Sequence, residues 1–142
     1  MYEYKAVIVR VVDGDTVDVD IDLGFDVWLK KQRIRLYGVD TPESRTRDLE
    51  EKKHGIAAKK FVESYLPLNT NQILRTKLDG RGKFGRILGE FVAFDAAQDR
   101  QSTINQLLID SYHGVKYHGQ SKDDIESEHL ENRKKVQLWV HI

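Results

Sequence analysis

The stretch Val17-Asp18-Val19-Asp20-Ile21-Asp22-Leu23 alternates apolar and acidic residues without a break. A period of two puts every apolar side chain on one face of an extended strand and every carboxylate on the other. Upstream, residues 6–12 form a nearly continuous apolar run, and Asp13-Gly14, a tight-turn dipeptide, separates the two segments. They are expected to pair as an antiparallel hairpin. Downstream, Arg33, Arg35 and Tyr37 share one face of a third strand, with Ile34 and Leu36 on the other.

Beyond these strands the periodicity changes. Thr41-Pro42 resembles a helix start, a capping hydroxyl followed by a proline that needs no amide hydrogen, although the helix proper is expected later. From about residue 48 to 66, Ala57, Ala58, Phe61, Val62 and Tyr65 make an apolar arc among charged neighbours. Gln72 to Leu78 and Arg86 to Phe94 have the character of strands around a glycine-rich turn. Ile104, Leu107, Leu108, Ser111 and Tyr112 predict a second helix. Ser121-Lys122-Asp123-Asp124 is a capping box for a third, whose stripe of Ile125, His129, Asn132 and Val136 ends near Leu138-Trp139-Val140. Three strands, a helix, two strands and two helices predict an α+β domain. Its core would be a five-stranded Greek-key barrel of the oligonucleotide-binding (OB-fold) type, with three α-helices around it.

The 142 residues suit a single domain, 1–142, with one site. There is no cysteine. That excludes disulfide scaffolds, thiolate nucleophiles and cysteine-held zinc, so any site must use oxygen or nitrogen. The first residues carry no basic leader, long apolar stretch or cleavage site, so a cytoplasmic protein without membrane contact is expected, or a secreted one if a leader was trimmed. Lys+Arg and Asp+Glu are both 23, and the zero net charge does not advertise a polyanion partner. The distribution says more: six aspartates lie between residues 13 and 26 without one Lys or Arg. Basic clusters follow at Lys30, Lys31, Arg33 and Arg35, and at Arg75, Lys77, Arg81, Lys83 and Arg86. The default for most of these charges is a solvated surface.

Gly80-Arg81-Gly82-Lys83-Phe84-Gly85 fits the dinucleotide fingerprint letter for letter, but that motif must open a helix. Here Ile87-Leu88-Gly89-Glu90-Phe91-Val92 follows, which has strand character, so the glycines belong to a turn. The five histidines show no metalloprotease spacing, and no serine sits in a nucleophile elbow. What remains is oxygen chemistry. Asp15 lies at the first hairpin and Asp40-Thr41-Pro42-Glu43 follows the third strand, so a barrel can bring these carboxylates together. Carboxylates and backbone carbonyls are the ligands of hard divalent cations, and calcium tolerates the irregular geometry of loops.

Three blocks carry a resemblance. Val12-Asp13-Gly14-Asp15-Thr16-Val17, Ile34-Arg35-Leu36-Tyr37-Gly38-Val39-Asp40-Thr41-Pro42-Glu43 and Lys83-Phe84-Gly85-Arg86 occur in the order and spacing of the staphylococcal nuclease (thermonuclease) family, which the chain resembles over most of its length. The resemblance implies a five-stranded barrel and a calcium-dependent nuclease acting on DNA and RNA and leaving 3′-phosphate ends. It implies Asp15 and Asp40 as calcium ligands, with the Thr41 carbonyl. Glu43 would orient or deprotonate the attacking water, and Arg35 and Arg86 would grip the scissile phosphate. Lys83, Phe84 and Tyr117 would contact substrate. Two planar guanidiniums suit a phosphate better than lysines, and phosphoryl transfer needs positioning and charge stabilisation more than covalent catalysis.

The chain departs from that family in its longer segment from Asp22 to Lys31, an expected hairpin arm bearing Phe25 and Trp28. It departs again in Phe84, which stands where a tyrosine often contacts a terminal phosphate, and in its neutral charge. Tyr117 takes the place of a tyrosine that stacks on a base. The alternative is a non-catalytic single-stranded nucleic-acid-binding module, stacking bases on Tyr37, Phe84 and Tyr117. A monomer is expected in either case.

Overall fold

The computed structural model describes residues 2–77 and 87–136. Lys83, Phe84 and Arg86, the glycine-rich segment around them, and Leu138-Trp139-Val140 lie outside the described residues. The elements run β1 (Tyr2–Asp13), β2 (Thr16–Asp22), β3 (Trp28–Leu36), β4 (Val39–Asp40), α1 (Leu49–Tyr65), β5 (Asn71–Lys77), β6 (Ile87–Asp95), β7 (Arg100–Thr103), α2 (Ile104–Asp110), β8 (Val115–Lys116) and α3 (Lys122–Lys135). The five long strands are ordered β3-β2-β1-β5-β6, and β6 returns to β3 to close a barrel. That closure is parallel, Ile34 opposite Ile87 and Leu36 opposite Gly89. Every other neighbour in the barrel is antiparallel. The chain thus forms the five-stranded barrel with three helices expected from its periodicity.

Alternation does the sorting. In β2, Val17, Val19 and Ile21 face the core and the aspartates between them do not. β1 begins the same way with Ala6 and Ile8 buried. A bulge between Ile8 and Arg10 then shifts the phase, so that Val11 is buried and Val9 is turned outward. This explains how a nearly unbroken apolar run serves a strand with only one buried face. Ile34 and Leu36 of β3, Leu74 of β5 and Phe91 of β6 complete the barrel interior, capped by Val62 of α1, by Leu66 just past its end, and by Ile104 and Leu108 of α2.

Helix α1 begins at Leu49, capped by the Asp48 carboxylate, which accepts from the amides of Glu50 and Glu51. Thr41-Pro42 opens no helix. The Thr41 amide donates to the Asp15 carboxylate instead, at 3.3 Å, and residues 41–48 run as a loop over the barrel mouth. Ser121 caps α3 as its box predicts, accepting from the Asp124 amide at 3.2 Å. The segment after β2 does form an arm. Asp22 pairs with Trp28 across a turn in which Gly24, Phe25 and Asp26 all take positive φ, and Phe25 is fully exposed at its tip. No helix among the described residues is long and apolar enough to cross a membrane.

Behind the loop, His54 of α1 is buried, and His113, which follows α2, packs its ring 4.9 Å from that of Phe61. Burial holds both imidazoles below their ordinary value of 6.5; the charge of Arg133 adds to this at His54, and that of His54 at His113. The unfolded chain therefore takes up protons near that value where the folded chain does not, so stability present above it is lost as pH falls below it. Thermal melts from about pH 7.5 down to about pH 5 should show this decline, and the double variant His54→Gln, His113→Phe should show a shallower one. An unchanged slope would mean that other groups govern it.

Candidate active site

The turn of the first hairpin is Gly14-Asp15, with Asp13 paired to Thr16. Gly14 is not in the left-handed region that many hairpin turns require; a close approach selects it. A Cβ there would sit 2.8 Å from the Thr41 hydroxyl and 2.9 Å from the Ala58 methyl. The turn therefore seats against both the 41–48 loop and α1. The Asp15 carbonyl accepts the Leu36 amide at 2.8 Å, which ties the turn to the end of β3.

There β3 delivers Arg35, whose side chain is largely buried. Its Nη1 donates to the carbonyls of Leu36 at 3.0 Å and Val39 at 2.8 Å, fastening the guanidinium to its own loop. The same group stands 3.5 Å from Asp15 Oδ2 and, through Nη2, 3.5 Å from Asp40 Oδ1. Those distances are long for hydrogen bonds, so the guanidinium compensates both carboxylates without saturating their oxygens. β4 and β8 pair Val39 with Lys116 and Asp40 with Val115, and the Tyr117 amide donates to the Gly38 carbonyl at 2.8 Å. Asp13, Asp15, Arg35, Asp40, Thr41, Glu43, Tyr117 and His129 all line one open cleft at this end of the barrel.

Burial pushes the Asp15 carboxyl above its ordinary value of 3.8. The charge of Arg35 and the Thr41 amide oppose that rise, and the charge of Asp40 adds to it. The donor set is hard: two carboxylates within 3.5 Å of one guanidinium, Asp15 also accepting the Thr16 hydroxyl at 3.0 Å, and no sulfur. This suits a divalent cation that accepts irregular oxygen coordination. Among the described residues no three His, Asp or Glu side chains converge into a closed cage, so backbone carbonyl, water or substrate oxygens would complete the shell. The buried Thr41 hydroxyl beside Asp15 has no hydrogen-bond partner in the described structure.

Glu43 is exposed on the cleft rim, on a loop that α1 holds from below. A Cβ on Gly55 would overlap the Glu43 carbonyl and come within 2.6 Å of the Ser44 amide, so helix and loop meet backbone to backbone. Gly55→Ala should therefore cost roughly 1 to 3 kcal/mol by overpacking and displace the Glu43 segment. Urea unfolding of the variant, with backbone chemical shifts of residues 43 and 44, measures both effects.

The sequence blocks brought together by the structure are those of Asp15, Arg35, Asp40, Thr41 and Glu43, with Tyr117 at the rim. Arg86, Lys83 and Phe84 lie outside the described residues. Two participants escaped sequence reasoning. Asn105, buried in α2, donates to the carbonyls of Tyr37 at 2.8 Å and Gly89 at 3.1 Å, stapling β3 to β6 beside the site. His129 of α3 lies 2.8 Å from Asp40 Oδ2. Asn105 shows only as a polar residue inside an apolar helical stripe, and His129 only as a member of the α3 stripe with Ile125, Asn132 and Val136, which gives its face but not its partner.

The staphylococcal nuclease homologue family model matches residues 33–140, most of the chain and all of the cleft except the first hairpin. The chain belongs to the staphylococcal nuclease family. Among its relatives, the thermonuclease of Staphylococcus intermedius is 41% identical over 81 residues, covering 56% of this chain and 43% of that protein. The thermonuclease of Staphylococcus hyicus is 37% identical over 83 residues, covering 57% and 44%. The match thus spans less than half the length of these relatives. Asp15, Arg35 and Asp40 line one cleft, and Phe25 at the tip of the arm is not among its lining residues.

The raised Asp15 carboxyl has a measurable consequence. Its ionised form burdens the fold above pH 3.8, and the burden lifts as pH falls and the proton is taken up. Without metal at neutral pH, Asp15→Asn should melt higher than the wild type, and the gap should close below about pH 4. A variant that melts lower at neutral pH would show that pairing with Arg35 outweighs desolvation.

Proposed function

We propose that this chain is a calcium-dependent phosphodiesterase that hydrolyses DNA and RNA and leaves 3′-phosphate ends. The observation that carries it is the pairing of Asp15 and Asp40 on one guanidinium, that of Arg35, in a cleft whose rim bears Glu43, within a chain of this family. In this reading Asp15, Asp40 and the Thr41 carbonyl hold the ion. Bound there, calcium would polarise a phosphate oxygen and bring water to it.

The chain's own residues do the rest. Arg35, oriented by the Leu36 and Val39 carbonyls, offers a planar cation to the phosphate and offsets negative charge as the fifth oxygen bonds to phosphorus. Glu43 takes the proton of the attacking water. The water oxygen bonds to phosphorus, the bond to the 5′ oxygen breaks, and that oxygen leaves as a 5′-hydroxyl once protonated, with the phosphate on the 3′ side. Arg86 is the second cation of this proposal, and Lys83, Phe84 and Tyr117 its substrate contacts. The exposed Tyr117 at the cleft rim supports a stacking role for that residue. Nucleic acid is the substrate, and the proposal requires no second copy of the chain.

Cleavage of single-stranded DNA, duplex DNA and RNA, with calcium or with chelator, and with end-group analysis, tests this directly. Cleavage should require calcium, and magnesium should support little of it, because its stricter octahedral shell holds water more tightly. Glu43→Gln should slow single-turnover cleavage by roughly two to four orders of magnitude while leaving calcium affinity nearly unchanged. Arg35→Lys should lose on the order of 3 to 6 kcal/mol of barrier lowering, since lysine cannot present the bidentate donor. Binding of single strands without cleavage in calcium would instead favour a stacking module.

A further inference from the structure

Helix α3 has none of its residues buried, although it forms one wall of the cleft. A 14-residue helix without a buried apolar side chain gains little from the hydrophobic effect, so specific polar contacts must set its position. Among the described residues it has two hydrogen-bonding contacts with the rest of the fold, beside the Lys135 ammonium 5.6 Å from the Tyr112 ring centre. Asn132 donates through Nδ2 to the Gly114 carbonyl at 3.1 Å, and His129 Nε2 meets Asp40 Oδ2 at 2.8 Å. The His129 side chain is only 13% exposed, against 30% for Asp40. A carboxylate oxygen has no proton to give, so Nε2 is the donor.

The two oxygens of Asp40 are thus treated differently. Oδ2 is held by α3 at ordinary hydrogen-bond distance, whereas Oδ1 faces Arg35 across 3.5 Å, on the side shared with Asp15. Without the imidazole, nothing else in the described structure bonds Oδ2, and the carboxylate could rotate away from Asp15. Ligating carboxylates depend on such outer hydrogen bonds for their orientation, and losing one typically weakens metal binding tenfold or more.

We infer that His129 is a positioning residue. It holds Asp40 so that Oδ1 faces the Asp15 side of the cleft, and it couples the seating of α3 to occupancy of the carboxylate pair. This rests on the calcium reading above. By linkage, an ion that prefers the oriented carboxylate must also favour the docked helix, and the effect runs equally in both directions. Family membership gives no reason to single out this histidine; the 2.8 Å contact across 89 residues of sequence does.

The test compares wild type with His129→Leu, which fills the space without a donor, and His129→Gln, whose amide restores one. Calcium titration calorimetry gives affinity, hydrogen exchange follows the amides of α3 with and without calcium, and cleavage is assayed on the same samples. Calcium should protect α3 in the wild type. His129→Leu should bind calcium about tenfold more weakly and lose that protection, with β1–β3 amides unchanged, while His129→Gln should stay within about threefold of wild type. Equal affinity in all three proteins, or equal weakening in both variants, overturns the inference. If the wild type cleaves in calcium but His129→Leu binds it unimpaired, only the role of His129 falls. If calcium binds with the expected pattern but nothing is cleaved, the nuclease reading falls and the positioning role stands. If no calcium binds, both fall.

Discussion

The guanidinium of Arg35 is the contact on which the rest of this site depends. It donates to two carbonyls of the loop that follows its own strand and stands between two carboxylates from different parts of the chain. Without it, Asp15 and Asp40 would face each other across a partly dry cleft, and their mutual repulsion would add to the cost of desolvating Asp15. With it, the 36–40 turn has a fixed course, and the same cation that compensates the acids is aimed into the cleft. A lysine would supply the charge but could not serve two carbonyls and two carboxylates from one planar group.

The barrel makes this arrangement possible by closing β3 against β6 at the place where Arg35 emerges. Ile34 and Leu36 point inward on either side of it, so the alternation that builds the core also turns Arg35 out toward the cleft mouth. Asn105 secures the closure from α2 by bonding one carbonyl from each side of it. Gly14 lets the hairpin turn close on the Thr41 and Ala58 side chains, and Gly55 lets α1 meet the Glu43 loop backbone to backbone, where any side chain would force them apart. Stability and function therefore draw on the same few residues, and burdens such as the buried Asp15 carboxyl are located where chemistry would use them.

Helix α3 stands apart from this logic. The barrel, α1 and α2 are held by apolar burial, whereas α3 rests on polar contacts, the hydrogen bonds of Asn132 and His129 and the Lys135 ammonium over the Tyr112 ring. A wall held by hydrogen bonds opens more cheaply than one held by a core. That makes the cleft a place with one rigid side, carrying Asp15, Arg35 and Asp40, and one side whose seating responds to what the rigid side holds.

The sequence alone determined the strands, the hairpin and the two blocks that meet in the cleft, because these are local signals. Alternation in residues 17–23 is a period that only a strand can use, and Asp15, Arg35, Asp40 and Glu43 sit in short motifs whose side chains need no distant partner to be recognised. Local signals also misled where a distant group intervened. Thr41-Pro42 has the chemistry of a helix start, but the Thr41 hydroxyl caps no amide, the Thr41 amide bonds to Asp15, 26 residues earlier, and Asp48 caps α1 instead. Only the tertiary structure decided that Gly14 serves packing, that the apolar run of β1 breaks phase at a bulge, and that Asn105 and His129 belong to the site. Each of these is a contact between residues far apart in sequence. No periodicity encodes such a contact, because it exists only once the barrel has closed and brought both ends within bonding distance.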